Sequence, residues 1–178
     1  MQLLFLRHGI AVAHGAPGYE GDDDARPLTD KGIKGVGRVA RALDGLVQPE
    51  VIITSPLPRA RQTADLVAAQ LGAPVVETPL LGLGFSAGAL AEALRLAADR
   101  VGGEGLRQVM LVGHEPSMSH TIGVLISGSP IGLDLPKTGL ARVDVANETL
   151  HGANLVWLIP AGIWRGGKKK KQARQARP

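Results

Sequence analysis

The 178-residue sequence contains no cysteine. This absence excludes a disulfide-stabilised scaffold, a thiolate metal site and a cysteine nucleophile, and it suits a reducing compartment. No apolar run approaches the roughly 20 residues that a membrane span needs. The N-terminal run Leu3–Leu6 is too short for a signal peptide and leads directly into Arg7 and His8. We therefore expect a cytoplasmic protein with no membrane partner.

Aromatic residues make up only 3% of the chain, although its pI is near 9.8. Six of the 20 lysines and arginines lie in the last eleven positions, and the remaining 14 basic and 16 acidic residues have a net charge of −2. The basic charge therefore belongs to a tail, and few aromatic rings are available to stack on bases. We expect a domain over residues 1–165, a basic tail over 166–178 that is mainly a solvated terminus, and no nucleic-acid partner.

Short apolar runs alternate with segments of helical periodicity along the chain. Thr29 is suited to cap the first helix, with Ile33, Val36, Val39, Ala40 and Leu43 on its inner face. The alternation predicts a three-layer α/β/α sandwich with a mainly parallel sheet and one antiparallel strand. The predicted strands cover residues 3–6, 51–53, 74–78, 108–112, 140–145 and 155–159, and the later helices cover 59–71, 87–100 and 116–127.

Basic side chains follow three of the predicted parallel strands, at the point where each strand ends. Arg7 and His8 follow the first strand, Arg59 comes shortly after the second, and His114 follows the fourth. In open α/β sheets, ligands bind outside the carboxyl ends of the strands. Two guanidinium groups and two imidazoles at this edge indicate a pocket for a dianion such as phosphate.

Phosphoryl transfer in such a pocket needs a nucleophile, which must be a histidine, serine or threonine in this chain. A neutral imidazole beside two arginines is a credible one, because cationic neighbours lower its pKa and keep a lone pair available. A helix that begins near Pro116 would add backbone N–H groups and the positive end of its dipole.

Metal sites are weaker interpretations of the same residues. His8, His14 and His114 could hold a cation, but two neighbouring arginines would repel it. The run Asp22–Asp24 lacks the spacing of an EF-hand calcium loop and is more typical of a solvated loop. His14, His120 and His151 are interpreted as surface or helix residues.

Four segments of this sequence resemble motifs of the histidine phosphatase superfamily. They are Leu6-Arg7-His8-Gly9, the stretch from Arg26 to Gly32, the stretch from Ser55 to Thr63, and Val112-Gly113-His114. The short length and the loop before Arg26 are most similar to the SixA-type phosphohistidine phosphatases. The resemblance covers about residues 1 to 160. It implies a phosphoglycerate mutase-like fold and a phosphatase that uses no cofactor or metal.

The resemblance also implies a role for each pocket residue. His8 would be the nucleophile and would carry the phosphoryl group in the intermediate. Arg7 and Arg59 would bind the equatorial oxygens, and His114 would donate a hydrogen bond to the phosphoryl group. Arg26 would contribute to phosphate binding from its loop.

The sequence departs from many superfamily members in one segment. Those members carry a glutamate general acid after the second motif, but residues 77–86 contain only Glu77 as an acid, within a predicted strand. The SixA-type proteins also lack this acid, so the departure argues against sugar-phosphate mutase activity.

Three functions remain open. We expect hydrolysis of phosphohistidine on a protein, for example in a phosphorelay. The alternatives are a small-molecule phosphomonoesterase of the same superfamily and a non-catalytic module that binds phosphorylated ligands.

Overall fold

The computed structural model describes residues 1–103, 105–146, 150 and 152–164. Within this part of the chain, one six-stranded sheet is flanked by four α-helices. The strands are β1 (Gln2–Arg7), β2 (Val51–Thr54), β3 (Val75–Glu77), β4 (Gln108–Gly113), β5 (Leu140–Asp144) and β6 (Asn154–Ile159). The helices are α1 (Asp30–Leu43), α2 (Pro58–Leu71), α3 (Ala87–Val101) and α4 (Ser117–Ser127). The predicted tail over residues 166–178, and also His151, lie outside the described residues.

The sheet has the strand order β3-β2-β4-β1-β5-β6. The first four strands of this order are parallel to one another. Strand β5 pairs antiparallel with both β1 and β6, so it alone runs against the other five. The prediction of a mainly parallel sheet with one antiparallel strand is confirmed.

Side chains of β1 alternate between two hydrophobic cores. Leu3 and Phe5 are buried together with residues of α3 and α4 on one face of the sheet. Leu4 and Leu6 are buried with residues of α1 and α2 on the other face. A continuous apolar strand is expected where helices cover both faces, and this packing produces the predicted three-layer sandwich.

Helix α1 begins at the predicted cap, but one residue predicted for its inner face is not buried. The side chain of Thr29 accepts a hydrogen bond from the Gly32 backbone N–H at 3.0 Å. Ile33, predicted to face inward, is 43% exposed. The buried stripe instead runs through Gly32, Val36, Val39, Ala40 and Leu43, because Gly32 takes the inward position one residue earlier.

Gly32 allows α1 to approach the segment that follows β1. A Cβ atom at this position would lie 2.1 Å from the carbonyl oxygen of Ile10, so any larger residue would push the helix away. Among the described residues, no helix is both long and apolar enough to cross a bilayer.

Candidate active site

The carboxyl ends of β1, β4 and β2 lie side by side and bring the predicted pocket residues together. Arg7 of β1 is in register with Gly113 of β4, and Val112 of β4 is in register with Thr54 of β2. His8 and His114 follow adjacent strands, and their ring centroids are 5.1 Å apart. Both imidazoles are buried, as is Arg59 in the first turn of α2.

The ring of His8 is held in one tautomer. Its Nδ1 atom lies 2.7 Å from the carbonyl oxygen of Gly9. Because a carbonyl can only accept, Nδ1 carries the proton and Nε2 keeps its lone pair. Burial, opposed by the hydrogen bond to the Gly9 carbonyl and reinforced by the charges of His114, Arg59 and Arg7, lowers the pKa of His8 from 6.5 to about 3. At neutral pH, His8 is therefore an uncharged imidazole with a free nitrogen lone pair.

His114 pairs with Ser55 of the loop after β2. The His114 Nε2 atom lies 2.9 Å from the Ser55 hydroxyl, which also accepts the Leu57 backbone N–H at 3.2 Å. If the hydroxyl donates to Nε2, both of its hydrogen-bonding roles are satisfied and Nδ1 of His114 carries the proton. Burial, followed by the charges of Arg59, Arg7 and Arg26, lowers the pKa of His114 to about 4.

Two buried nitrogen atoms of the pocket lack a hydrogen-bond partner among the described residues. They are His114 Nδ1 and Arg7 Nε. The Nη1 atom of Arg7 is occupied, since it donates to the carbonyl of Leu135 at 2.9 Å. Buried N–H groups are rarely left unpaired in folded proteins, so these two donors are available to an acceptor ligand.

Arg59 is partly engaged by the acidic loop before α1. Its Nη1 atom donates to the carbonyl oxygen of Asp23 at 2.9 Å. Burial, and then the charge of Arg26, lower the pKa of the Arg59 guanidinium. The first turns of α2 are tied to the loop after β1, because Thr63 donates to the Arg59 carbonyl at 2.7 Å and accepts the Gly9 N–H at 3.0 Å.

Arg26 is fixed within the same loop, close enough to influence the pocket electrostatically. Its Nε forms an ion pair with Asp23 at 2.9 Å, and its Nη1 donates to the Val12 carbonyl at 2.9 Å. Arg26 lowers the pKa of the Asp23 carboxyl through their hydrogen bond, and its charge lowers the pKa of His114. Arg26 thus adds positive potential to the pocket, and Asp23 stays ionised beside it.

Three residues around this pocket, Ser55, Thr63 and Lys137, were not assigned a role from the sequence. Ser55 and Thr63 lie in the stretch that carries Arg59, and the available signal for them was a polar residue beside predicted buried positions. Lys137 carries no comparable pattern. Burial, and then the charges of Arg7, Arg26 and Arg59, lower the pKa of Lys137, while burial raises the pKa of Glu115.

The other histidines do not join this pocket. His14 and His120 are exposed. In the described part of the chain, no three histidine, cysteine, aspartate or glutamate residues form a group that could hold a metal ion.

Comparisons with known proteins identify relatives of this chain in sequence and in fold. A sequence model of the histidine phosphatase superfamily (branch 1) matches residues 3–82. An uncharacterized protein of Picosynechococcus sp. is 36% identical over 172 residues, which cover 92% of this chain and 98% of that protein.

Two solved structures share the fold. The protein histidine phosphatase SixA, solved with tungstate, has a TM-score of 0.75 at 24% identity, with 92% of this chain and 99% of that chain covered. The alpha-ribazole phosphatase of Shigella flexneri has a TM-score of 0.66 at 22% identity, with 90% and 97% covered. The motif segments, the sheet order and these matches together show that the chain belongs to the histidine phosphatase superfamily.

Proposed function

We propose that this protein hydrolyses phosphohistidine on a partner protein through a phosphorylated His8 intermediate. The observation that carries the proposal is the state of His8, which is buried, neutral and fixed with its Nε2 lone pair free. A nucleophile in this state needs no base to activate it.

The surrounding groups suit the transfer of a phosphoryl group. Arg7 supplies positive charge at the end of β1, Arg59 supplies it from the first turn of α2, and Arg26 adds to it. The unpaired donors at Arg7 Nε and His114 Nδ1 would be satisfied by phosphoryl oxygens. Because phosphoryl transfer depends mainly on positioning and charge stabilisation, these groups are sufficient in kind for the reaction.

The reaction would proceed in two displacements. The lone pair of His8 Nε2 forms an N–P bond while the P–N bond of the substrate breaks. The substrate ring reacts in the form that is protonated on its unphosphorylated nitrogen, so it leaves as a neutral imidazole that keeps this proton. Water then attacks phospho-His8, the N–P bond electrons return to Nε2, and the proton of the attacking water passes to solvent.

The carboxyl groups of Asp23 and Glu77 are both engaged in ion pairs, which favours a substrate with a good leaving group. Glu77 is exposed and forms an ion pair with Arg61 at 3.0 Å, and Arg26 lowers the pKa of Asp23. Asp23 therefore stays ionised and does not supply a proton, whereas a departing sugar alkoxide would need a proton donor. The imidazole of phosphohistidine leaves without it. The name of the SixA neighbour supports this choice.

The second candidate is a small-molecule phosphomonoesterase. The alpha-ribazole phosphatase has the same fold and similar coverage of this chain, so the fold alone does not select a protein substrate.

The test combines substrate comparison with trapping of the intermediate. The rates of phosphate release are measured for a phosphohistidine protein, an aryl phosphate and a sugar phosphate. Labelled substrate, quenched without acid, should leave acid-labile and alkali-stable label on His8. We expect His8→Ala to lose both turnover and label, and the exposed His120→Ala variant to keep both.

Three results would count against the proposal. Label on a serine or threonine would refute the nucleophile. Faster turnover of a sugar phosphate than of phosphohistidine would favour the small-molecule enzyme. Tight phosphate binding without turnover would favour the non-catalytic module.

A further inference from the structure

A second pocket, of about 390 Å³, opens beside the active site. It lies between the N-terminal half of α1 and the loop that precedes β5. Arg7 lines this pocket as well as the active site, so the two adjoin at that side chain. The other residues that line it had no role predicted from the sequence.

The charges around the second pocket are mostly positive. Lys31 and Arg38 line it from α1, Lys137 lines it from the loop, and Asp134 is the carboxylate among its lining residues. Among the residues that the structure describes, neither lysine nor Arg38 forms an ion pair. Because like charges in one pocket repel one another, a bound anion would stabilise all of these cations.

The loop that carries Lys137 is fastened to the catalytic strand. The Thr138 N–H lies 3.2 Å from the Arg7 carbonyl oxygen and 3.3 Å from that of His8, and the Arg7 N–H donates to Gly139 at 3.1 Å. These bonds hold the second pocket at a fixed separation from the His8 ring. A ligand group in this pocket could therefore belong to the same molecule as the phosphoryl group on His8.

Apolar residues form much of the remaining wall. Ile10, Pro136, Ala161 and Trp164 line the pocket. These walls suit a compact carbon skeleton.

We propose that this pocket binds a second anionic group of the substrate, a carboxylate or phosphate attached a short distance from the transferred phosphoryl group. The proposal rests on the phosphatase activity proposed above and narrows its substrate class. Two sources share this chemistry: an acidic side chain that flanks phosphohistidine in a protein, and the second anion of a small phosphate ester.

The test uses pairs of aryl phosphates that differ in one charge. The values of kcat/KM are compared for 3- and 4-carboxyphenyl phosphate and for the neutral 3- and 4-carbamoylphenyl phosphates. The carbamoyl group withdraws electrons more strongly, so leaving-group chemistry alone favours the neutral esters. We expect at least one carboxylate ester to exceed its neutral partner by about tenfold, since roughly 1.4 kcal/mol of binding corresponds to this ratio.

Variants of the lining residues test whether the preference for the carboxylate ester arises from the second pocket. Lys31→Gln/Lys137→Gln should reduce the ratio to about one, whereas Lys34→Gln, an exposed lysine on the same helix outside the pocket, should retain it. Gly35→Met should also abolish the preference by filling the pocket without removing a charge. A Cβ at Gly35 would meet only Arg38 Nη2, at 3.9 Å, so the helix accommodates it.

A wild-type ratio near one, or the wild-type ratio in both pocket variants, would overturn the proposal. Phosphohistidine peptides with aspartate or asparagine beside the phosphorylated residue distinguish the two sources. A preference for aspartate would identify the second anion as an acidic side chain of a protein substrate. A preference confined to the small esters would identify it as the second anion of a small phosphate ester. If the esters show the preference but phosphohistidine is not hydrolysed, the second site stands and the proposed function fails.

Discussion

The two buried histidines should make the protein progressively less stable in mildly acidic solution. Burial disfavours the charged form of each imidazole, so the pKa of His8 falls from 6.5 to about 3 and that of His114 falls to about 4. In the unfolded chain, both rings titrate near 6.5. As the pH falls below 6.5, the unfolded chain takes up protons that the folded protein does not. Stability is therefore complete above this pH and is lost progressively as the pH falls towards 4 and 3.

The size of the loss follows from the two pKa values of each ring. At about pH 5, an unfolded-state pKa of 6.5 and a folded-state pKa of about 3 give a loss of about 2 kcal/mol through His8. The same relation gives about 2 kcal/mol through His114. These losses are large beside a typical total stability of about 5–15 kcal/mol.

Urea unfolding of single-histidine variants measures this contribution. The free energy of unfolding is compared between about pH 7.5 and about pH 5 for the wild type, His8→Gln and the exposed His120→Gln. We expect His8→Gln to lose about 2 kcal/mol less than the wild type over this interval. The control should lose as much as the wild type. If His8→Gln and the wild type lost the same free energy, His8 would not be a buried neutral ring and the proposed nucleophile would lose its basis.

Three further predictions concern the arginine fork, the tail and the leaving group. Arg59→Lys should lower kcat/KM at least tenfold, about 1.4 kcal/mol, because the charge remains but the bidentate guanidinium is lost. The control is Arg61→Lys, which changes an arginine on the same helix that pairs with Asp65 and Glu77. Similar rates for the two variants would contradict phosphate binding by Arg59. Deletion of residues 166–178 should leave aryl phosphate turnover almost unchanged, whereas a collapse would show that the tail is structural. The values of kcat/KM should fall steeply as the leaving-group pKa of phosphate esters rises, and EDTA should have no effect. Burial raises the pKa of Glu115, so a flat dependence that becomes steep in Glu115→Gln would identify Glu115 as a general acid.

The pocket residues at the strand ends could be predicted from the sequence because their positions depend on short-range patterns. Apolar runs identify the strands, and Arg7, His8 and His114 follow them directly. Parallel strands then bring these segments to one edge of the sheet. The sheet order adds what the pattern could not provide, since β4 lies between β1 and β2 and so places His114 beside His8.

Residues whose role depends on distant contacts were not accessible in this way. Lys137 lies in a loop without a hydrophobic period, and it reaches the site because Thr138 and Gly139 bond to the end of β1 across more than 100 residues of sequence. The error at Ile33 has a local cause. The hydrophobic period of α1 fits either Ile33 or its neighbour Gly32 at this position, and only the close approach of α1 to Ile10 selects the glycine for the inward side.

The nucleophile is held mainly through its backbone. The N–H groups of Arg7, His8 and Gly9 donate to Gly139, Gly113 and Thr63, which belong to three different parts of the fold. The carbonyls of Arg7 and His8 face the Thr138 N–H, and that of Gly9 accepts from the His8 ring. All six backbone polar groups of this tripeptide are thus paired, and a site fixed in this way can orient a lone pair before substrate arrives. The same bonds explain why the second pocket is stationary relative to His8, because the loop that carries Lys137 contributes two of the partners.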